Sequence, residues 1–487
     1  MLILISILFP MLAGAVLLFW RPEARPRRFY VMAATGMTTL LALSTLFFGR
    51  AEAPLVLLQL SERLMIAFHV DGLSVIFAGM VALLWPLASL YAIEYMSREG
   101  SENRFFALYL AAFGVTLGIA FSASILTLYL FYELLTLTTL PLVMHSLDGK
   151  ARYAGRIYLI YSMSGAALGF IAMAFLIQYG GPLFLFGGTL VIPESMSASI
   201  FHVAYGLGFF GFGVKAAVFP GHSWLLRASV APTPVTALLH AVAVVKAGIF
   251  AVIRITWYGF GPDLLRDSWI QQLVMAAAIF TIVFGSTNAL FTQHLKRRLA
   301  WSTVSNLSYI LLGVTTLTTA GLVAGLTHMV FHAVIKITLF FGVGAIHYQM
   351  HRDYVPDIEG IGYKMPVVFA TFLTASLGLM GVPPLAGFSS KWLLATSSAA
   401  LHTPLGYLGA AALIVSAILT ALYLLQISML AFFPRQHPAI PVKLPRHAQI
   451  DPNFRMTLPL LLLTVAAILL GFGANSFTAL IQTLIFG

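Results

Sequence analysis

The 487-residue chain contains no cysteine. Disulfides, cysteine-ligated iron–sulfur clusters, thiolate haem and a C-x-x-C-H haem attachment are therefore excluded within it, and any electron transfer belongs to another subunit. Charge is nearly as scarce: Asp, Glu, Lys and Arg make up 9% of the residues, against about 25% in soluble domains. Acidic residues are the rarer sign, 16 against 27 lysines and arginines. Long polar segments are missing too. The longest connections, 49–70, 179–200, 347–365 and 433–456, are too short to bury a core of their own.

What is abundant is apolar sequence, 60% of the chain. Runs of the length needed to cross a bilayer occur fourteen times, at 1–20, 29–48, 71–92, 105–122, 124–143, 156–178, 201–219, 233–257, 271–291, 299–318, 320–346, 366–397, 407–432 and 457–480. We number them spans 1 to 14 and read an all-α integral membrane protein. Span 1 has no basic residue before it and no small-residue cleavage site, so it reads as a retained helix rather than a signal peptide. With the N-terminus outside, 19 of the 27 lysines and arginines fall in the odd-numbered, cytoplasmic loops, among them Arg21, Lys150, Lys296, Arg352, Arg435, Lys443 and Arg446. Only Arg50, Arg63 and Arg266 fall in the opposite loops. The net charge of +11 is thus mostly a topology signal; it needs no nucleic-acid partner and favours an anionic bilayer surface.

Against this background five ionisable groups stand in the middle of apolar spans: Glu133, Lys215, Lys246, Lys336 and Lys391. At about 2.5–3.5 kcal/mol each for insertion, they cost on the order of 10–17 kcal/mol before any pairing. Groups retained at that cost read as a buried path for protons or cations, with Glu133 partnering a lysine. A fixed buried salt bridge is the structural alternative.

Two spans carry helix breakers beside these lysines. Pro220-Gly221, Pro232 and Pro234 follow Lys215, and Gly381-Val382-Pro383-Pro384 precedes Lys391. Broken spans in corresponding halves mark transport sites, because freed backbone groups can line a hydrated cavity. Spans 4–8 and 9–13 read as two inverted five-helix repeats, with broken helices 7 and 12. The chain divides accordingly into 1–104 (spans 1–3), 105–258 (first repeat), 259–432 (second repeat) and 433–487 (a connecting loop and span 14).

In span 11, His328, His332 and Lys336 recur at i, i+4 and i+8, a stripe about 12 Å long on one helix face. Such a stripe can hold a file of waters, since imidazole both donates and accepts. Metal ligation by His328 and His332, or a b-type haem between His240 and a span-11 histidine, are rivals; the charge of Lys336 and the lack of an added carboxylate weigh against the first. In span 8, His240 and Lys246 lie six residues apart, about 240° around an ideal α-helix, and so serve different neighbours. Arg254, near the outer end, is expected to snorkel to the interface, and Asp71 to cap the N-terminus of span 3.

Together these motifs resemble the antiporter-like proton-translocating family: the L, M and N subunits of complex I, the A and D subunits of Mrp antiporters, and the corresponding subunits of membrane-bound hydrogenases. The most specific stretches are Gly213-Val214-Lys215 through Pro220-Gly221-His222-Ser223-Trp224, Pro232-Thr233-Pro234 to His240, Tyr132-Glu133-Leu134, Lys296-Arg297-Arg298-Leu299, and Pro383-Pro384-Leu385-Ala386-Gly387-Phe388 leading to Lys391. The resemblance covers spans 3 to 13 and implies a fourteen-helix fold with two inverted repeats. It implies that Glu133 and Lys215 form a coupled pair, that Lys246, His328, His332 and Lys336 form the central relay with His240 as a further member, and that Lys391 ends it towards the exit. Lysines at 246 and 391, and a chain ending after span 14, look most similar to the Mrp D type or to a hydrogenase-type subunit.

The implied function is that of a proton-translocating, non-redox subunit of a redox-driven complex, either complex I-like NADH-quinone oxidoreductase or energy-converting hydrogenase. A subunit of an Mrp-type Na⁺/H⁺ antiporter is the alternative. No cofactor or metal is expected in this chain. The expected partners are other membrane subunits, the lipid bilayer, protons and, in the antiporter alternative, Na⁺; the expected location is the prokaryotic inner (plasma) membrane.

Overall fold

The computed structural model describes residues 1–51, 53–434 and 450–487. Arg435, Lys443 and Arg446, which contribute to the topology signal, and the rest of the loop at 435–449 lie outside them. Several spans begin where a side chain can serve the free N–H groups of a first helical turn. Asp71 accepts from Ser74 N at 2.8 Å, Asp148 from Ala151 N at 2.7 Å, Thr318 from Gly321 N at 3.1 Å and Thr403 from Gly406 N at 3.1 Å. At a bilayer surface such caps also fix where the chain turns back.

Unbroken helices form span 1 (Leu2–Phe19), span 2 (Ala24–Phe48), span 3 (Gly72–Tyr95), span 4 (Glu102–Ala120), span 5 (Ile125–Val143) and span 6 (Gly149–Tyr179). They also form span 9 (Trp269–Phe291), span 10 (Leu295–Thr315), span 11 (Thr319–Met350) and span 13 (Pro404–Phe432). Spans 8 and 11 are the heart of the bundle: the most apolar window of Thr233–Phe260 is 100% buried and that of Thr319–Met350 is 94% buried, against 33% for Ala24–Phe48. Span 10, with its Lys, Arg, Ser, Thr and Asn residues, is the least apolar helix of the bundle and is almost wholly buried. Polar groups here face other helices rather than lipid.

Spans 7 and 12 are broken, as the proline and glycine pattern predicts. Span 7 runs Ala198–Gly213 and resumes at Ser223–Ala228; span 12 runs Pro366–Met380 and resumes at Ala386–Ala399. Gly381 stands at φ +92°, a left-handed turn that a side chain would strain. Three features depart from the sequence reading. Span 14, expected as one run at 457–480, is two helices, Phe454–Phe472 and Ala474–Phe486. Gly471 sits against the unwound part of span 12, where a Cβ would collide with the Pro384 carbonyl, so the last span breaks beside the break in its neighbour. Span 8 is α-helical only in part, with π-helical turns at Leu238–Val242 and Arg254–Phe260. The 240° offset between His240 and Lys246, which assumes an ideal helix, therefore does not apply. Finally, the 49–70 connection holds an antiparallel hairpin, Leu55–Gln59 with Met65–Phe68, Leu55 opposite Phe68, a small β element in an otherwise helical chain.

Candidate functional site

Lys215 lies in the break of span 7, and Gly248 lets span 8 close onto its backbone: a Cβ there would strike Ala216 N. The side chain is fully buried and points at span 5. Its ammonium donates to the Tyr132 carbonyl, lies 3.3 Å from the centroid of the Tyr132 ring, and is 3.6 Å from Glu133 Oε1. Glu133 and Lys215 are thus brought together as an ion pair, but one in which Tyr132 supplies the direct hydrogen bond. The Glu133 side chain is 21% exposed, at the edge of the chain, and its Oε1 makes no hydrogen bond.

The span-8 and span-11 groups meet in the centre. Lys246 Nζ lies 2.7 Å from His332 Nδ1, both residues fully buried. His332 and His328 stand with ring centroids 5.9 Å apart, one turn separated on span 11. His328 Nδ1 lies 3.0 Å from Ser390 Oγ on the outer helix of span 12, and its ring stacks on Tyr309 of span 10 at 5.3 Å. The Lys391 ammonium turns back to the break, donating to Leu379 O and, at 3.3 Å, to Met380 O, and lies 5.3 Å from the Tyr309 ring. The break supplies carbonyls that a continuous helix would have used internally.

Lys336 leaves the stripe. Its ammonium donates to Leu299 O at 2.6 Å and Ser302 Oγ at 2.5 Å on span 10, towards the cytoplasmic side. His240 packs against Phe340 at 4.8 Å, while Lys246 serves His332, so the two span-8 residues do have different neighbours. Both His240 nitrogens, His328 Nε2, His332 Nε2, Asn306 Oδ1, Ser308 Oγ and Tyr309 Oη are buried without a hydrogen-bond partner among the described residues. Buried polar groups are normally satisfied, so these seven atoms on spans 8, 10 and 11 have hydrogen-bonding capacity to spare, as do others elsewhere in the bundle such as Tyr109 Oη, Ser162 Oγ and Ser376 Oγ. Both His332 and His328 have Nδ1 engaged by protein groups and Nε2 without a partner among the described residues.

Arg254 does not snorkel. It is 2% exposed and paired through both guanidinium NH₂ groups with Asp71, which also caps span 3. Phe250 and Tyr258 lie against the guanidinium at 4.9 and 4.6 Å, and the 181–185 connection folds over the same place. At the cytoplasmic end, His347 Nδ1 is 2.9 Å from Asp353 Oδ1, and the Asp353 carbonyl accepts from Leu295 N, tying the end of span 11 to the start of span 10. The His347 hydrogen bond holds the Asp353 carboxyl below its usual range against the opposing effect of burial.

Sequence reasoning missed Ser302, Tyr309 and Ser390, the neutral groups that connect the charged ones. Ser390 directly precedes Lys391 and could have been found there; Ser302 and Tyr309 carry no local signal.

Residues 122–420 match the family described as NADH:quinone oxidoreductase/Mrp antiporter, TM, and residues 59–106 match NADH-Ubiquinone oxidoreductase (complex I), chain 5 N-terminus. The chain is 32% identical over 353 residues to hydrogenase-4 component B of Escherichia coli (strain K12), covering 67% of this chain and 50% of that protein. It is 30% identical over 411 residues to NADH-quinone oxidoreductase subunit N of Desulforudis audaxviator (strain MP104C), covering 82% and 79%. In fold it is similar to a chain of the Mrp complex from Dietzia sp. DQ12-45-1b, with a TM-score of 0.83, 22% identity and coverage of 100% and 97%. The chain spans 40% to 50% of the length of several of the curated relatives it matches. With more than half of its length matched, and with these helices and breaks, this multi-pass membrane chain belongs to the NADH:quinone oxidoreductase/Mrp antiporter transmembrane family.

Proposed function

We propose that this chain is a proton-translocating subunit of a larger membrane complex in a prokaryotic plasma membrane, driven by a redox module held in other subunits. The observation that carries this reading is the buried contact of Lys246 with His332, continued to His328, Ser390 and Tyr309. A neutral imidazole accepts a proton at one nitrogen and gives one from the other, so each histidine can pass a proton without moving far. Protons reach the centre from the cytoplasmic side by Lys336 and Ser302, move along Lys246, His332 and His328, and leave past the span-12 break at Lys391. Glu133 and Lys215 set loading: an ammonium whose partner is near holds its proton, and one whose partner withdraws releases it. The division into repeats at 105–258 and 259–432 fits this scheme, with one break in each and a buried lysine at each break, Lys215 and Lys391.

The alternative is a subunit of an Mrp-type Na⁺/H⁺ antiporter, favoured by the likeness to the Mrp complex. Proton uptake in inverted vesicles, energised in turn by NADH, by a formate or hydrogenase donor, and by a sodium gradient, separates the two. Drive by one electron donor, lost in an assembled Lys215→Ala variant, supports the redox reading. Drive by the sodium gradient alone replaces it with the antiporter. Unimpaired pumping by Lys215→Ala defeats the assigned role of the pair.

A further inference from the structure

Where the cytoplasmic ends of spans 1, 2 and 4 meet, a surface cavity of about 570 Å³ is lined by three arginines, Arg21, Arg27 and Arg104, and by one carboxylate, Glu102. Three positive charges against one negative leave a lining of net charge +2. Leu17 and Leu18 give the same cavity an apolar wall. Arg27 sets the frame: its guanidinium pairs with Glu102 and donates to Asn103 Oδ1 at 3.1 Å, tying the start of span 2 to the start of span 4. The other groups have capacity to spare. Arg21 is exposed, with no ion-pair partner among the described residues, and Arg104 uses one NH₂ group on His145 O at 2.6 Å. Glu102 Oε2 is buried without a hydrogen-bond partner among the described residues. Ser101 stands before the first turn of span 4 at φ +49°, yet its side chain does not cap that turn. Depth is set by aromatic residues. Trp20 packs edge to face on Tyr30 with ring centroids 5.4 Å apart, and Phe19, next to Trp20, is 88% exposed. Trp and Tyr rings collect at the level of lipid head groups, so the arginines beside them lie at the surface of the inner leaflet.

We infer that this cavity binds one anionic phospholipid whose head group carries hydroxyls, the chemistry of phosphatidylglycerol. Arg21 and Arg104 take the phosphodiester, a head-group hydroxyl donates to Glu102 Oε2, and the glycerol backbone lies against Leu17 and Leu18. The lining selects this class on two counts. Its excess positive charge favours a lipid of net negative charge over a zwitterionic one, and basic pockets between helices on the cytoplasmic side suit such head groups. Its unpartnered carboxylate oxygen requires a donor, which a bare phosphate monoester or a choline does not bring. A free phosphate compound would satisfy the arginines but leave the leucine wall unused. No residue of the Lys246–His332–His328 chain lines the cavity, and the inference does not depend on the proton-translocation reading.

Lipid titration of the purified complex in detergent, followed by native mass spectrometry, tests this. The probes are phosphatidylglycerol, phosphatidylcholine, phosphatidylmethanol, which keeps the charge but has no hydroxyl, and glycerol phosphate as a competitor. The expected result is saturable retention of phosphatidylglycerol in preference to both other lipids. Arg21→Gln is the cleanest variant, because that side chain is exposed and holds no other element in place. It should weaken phosphatidylglycerol binding about fivefold, the equivalent of the ~1 kcal/mol that a basic residue contributes near an anionic surface. Arg21→Glu should weaken it further and Arg21→Lys should restore it, with the unfolding temperature of the lipid-free complex unchanged in all three. Equal retention of phosphatidylcholine, or binding indifferent to Arg21→Glu, overturns the inference. Phosphatidylmethanol held as tightly as phosphatidylglycerol removes the role of Glu102, and displacement by glycerol phosphate at equal concentration makes this a site for free phosphate compounds instead of a lipid.

Discussion

Lys246 Nζ and His332 Nδ1 lie 2.7 Å apart although their residues are 86 positions apart in the chain. A charged ammonium has only donors, so this contact requires His332 to accept at Nδ1 and carry its proton on Nε2, the nitrogen without a partner among the described residues. If Lys246 instead gives up its proton, His332 can donate to it. Lys246→Met removes the partner and leaves His332 free to change tautomer; His332→Gln keeps a polar group of similar reach but cannot exchange a proton. Both variants are expected to assemble and to lose about a hundredfold in proton translocation, the scale at which a positioned acid–base group contributes. Vesicle proton uptake checks this, with subunit content measured alongside.

Lys215 gives a sharper separation of charge from proton exchange. Its ammonium is held by the Tyr132 carbonyl and ring, with Glu133 at 3.6 Å. Lys215→Arg preserves the positive charge and the ion pair, but a guanidinium does not deprotonate in proteins. If the residue only anchors Glu133, the arginine variant pumps. If it must release a proton, the variant assembles and is as inactive as Lys215→Ala, and that is the outcome expected in the same vesicle assay.

How much of this is legible in the sequence follows from what each residue costs. A lysine in the middle of an apolar run is conspicuous because no packing argument repays its desolvation, and Lys215, Lys246, Lys336 and Lys391 can all be named from sequence, as can the proline breaks beside two of them. Arg254 departs from expectation because an arginine near a helix end normally reaches water. Its burial depends on Asp71, 183 residues away, and on a loop folding over both, which no local pattern encodes. The break at Gly473 has a local signal, Gly471, Gly473, Asn475 and Ser476 in close succession, that the apolar run at 457–480 hides; the close approach of Gly471 to the unwound part of span 12 is visible only in the structure. Serine and tyrosine are ordinary in membrane helices, so Ser302, Tyr309 and Ser390 gain meaning only from the atoms they touch.

The Asp71–Arg254 pair holds span 3 to span 8 and is expected to act on stability rather than on transport. Removing one partner of a buried pair leaves the other charge uncompensated, at about 3–5 kcal/mol, while removing both costs much less. Asp71→Ala, which strands a fully buried guanidinium, should therefore lower the thermal unfolding temperature in detergent more than Asp71→Ala combined with Arg254→Met. A double variant as unstable as the sum of the two single ones would show that the pair itself contributes nothing.

Asp353 offers a pH-dependent test at the cytoplasmic end. Its carboxyl is held below the usual value of 3.8, chiefly by the hydrogen bond from His347. A group whose folded value is depressed stabilises fully above its unfolded value, and that contribution is lost as pH falls through the folded value. Asp353→Asn is therefore expected to destabilise the junction of spans 10 and 11 at pH 7, with the difference from wild type shrinking below about pH 4 as the native carboxyl also becomes neutral. Because the Asp353 carbonyl, which accepts from Leu295 N, is untouched by this substitution, the backbone tie remains and only the side-chain contribution is measured. Amide hydrogen exchange of Leu295–Leu299 at the two pH values reads it out, and a difference that persists undiminished in acid would assign the stabilisation to packing instead.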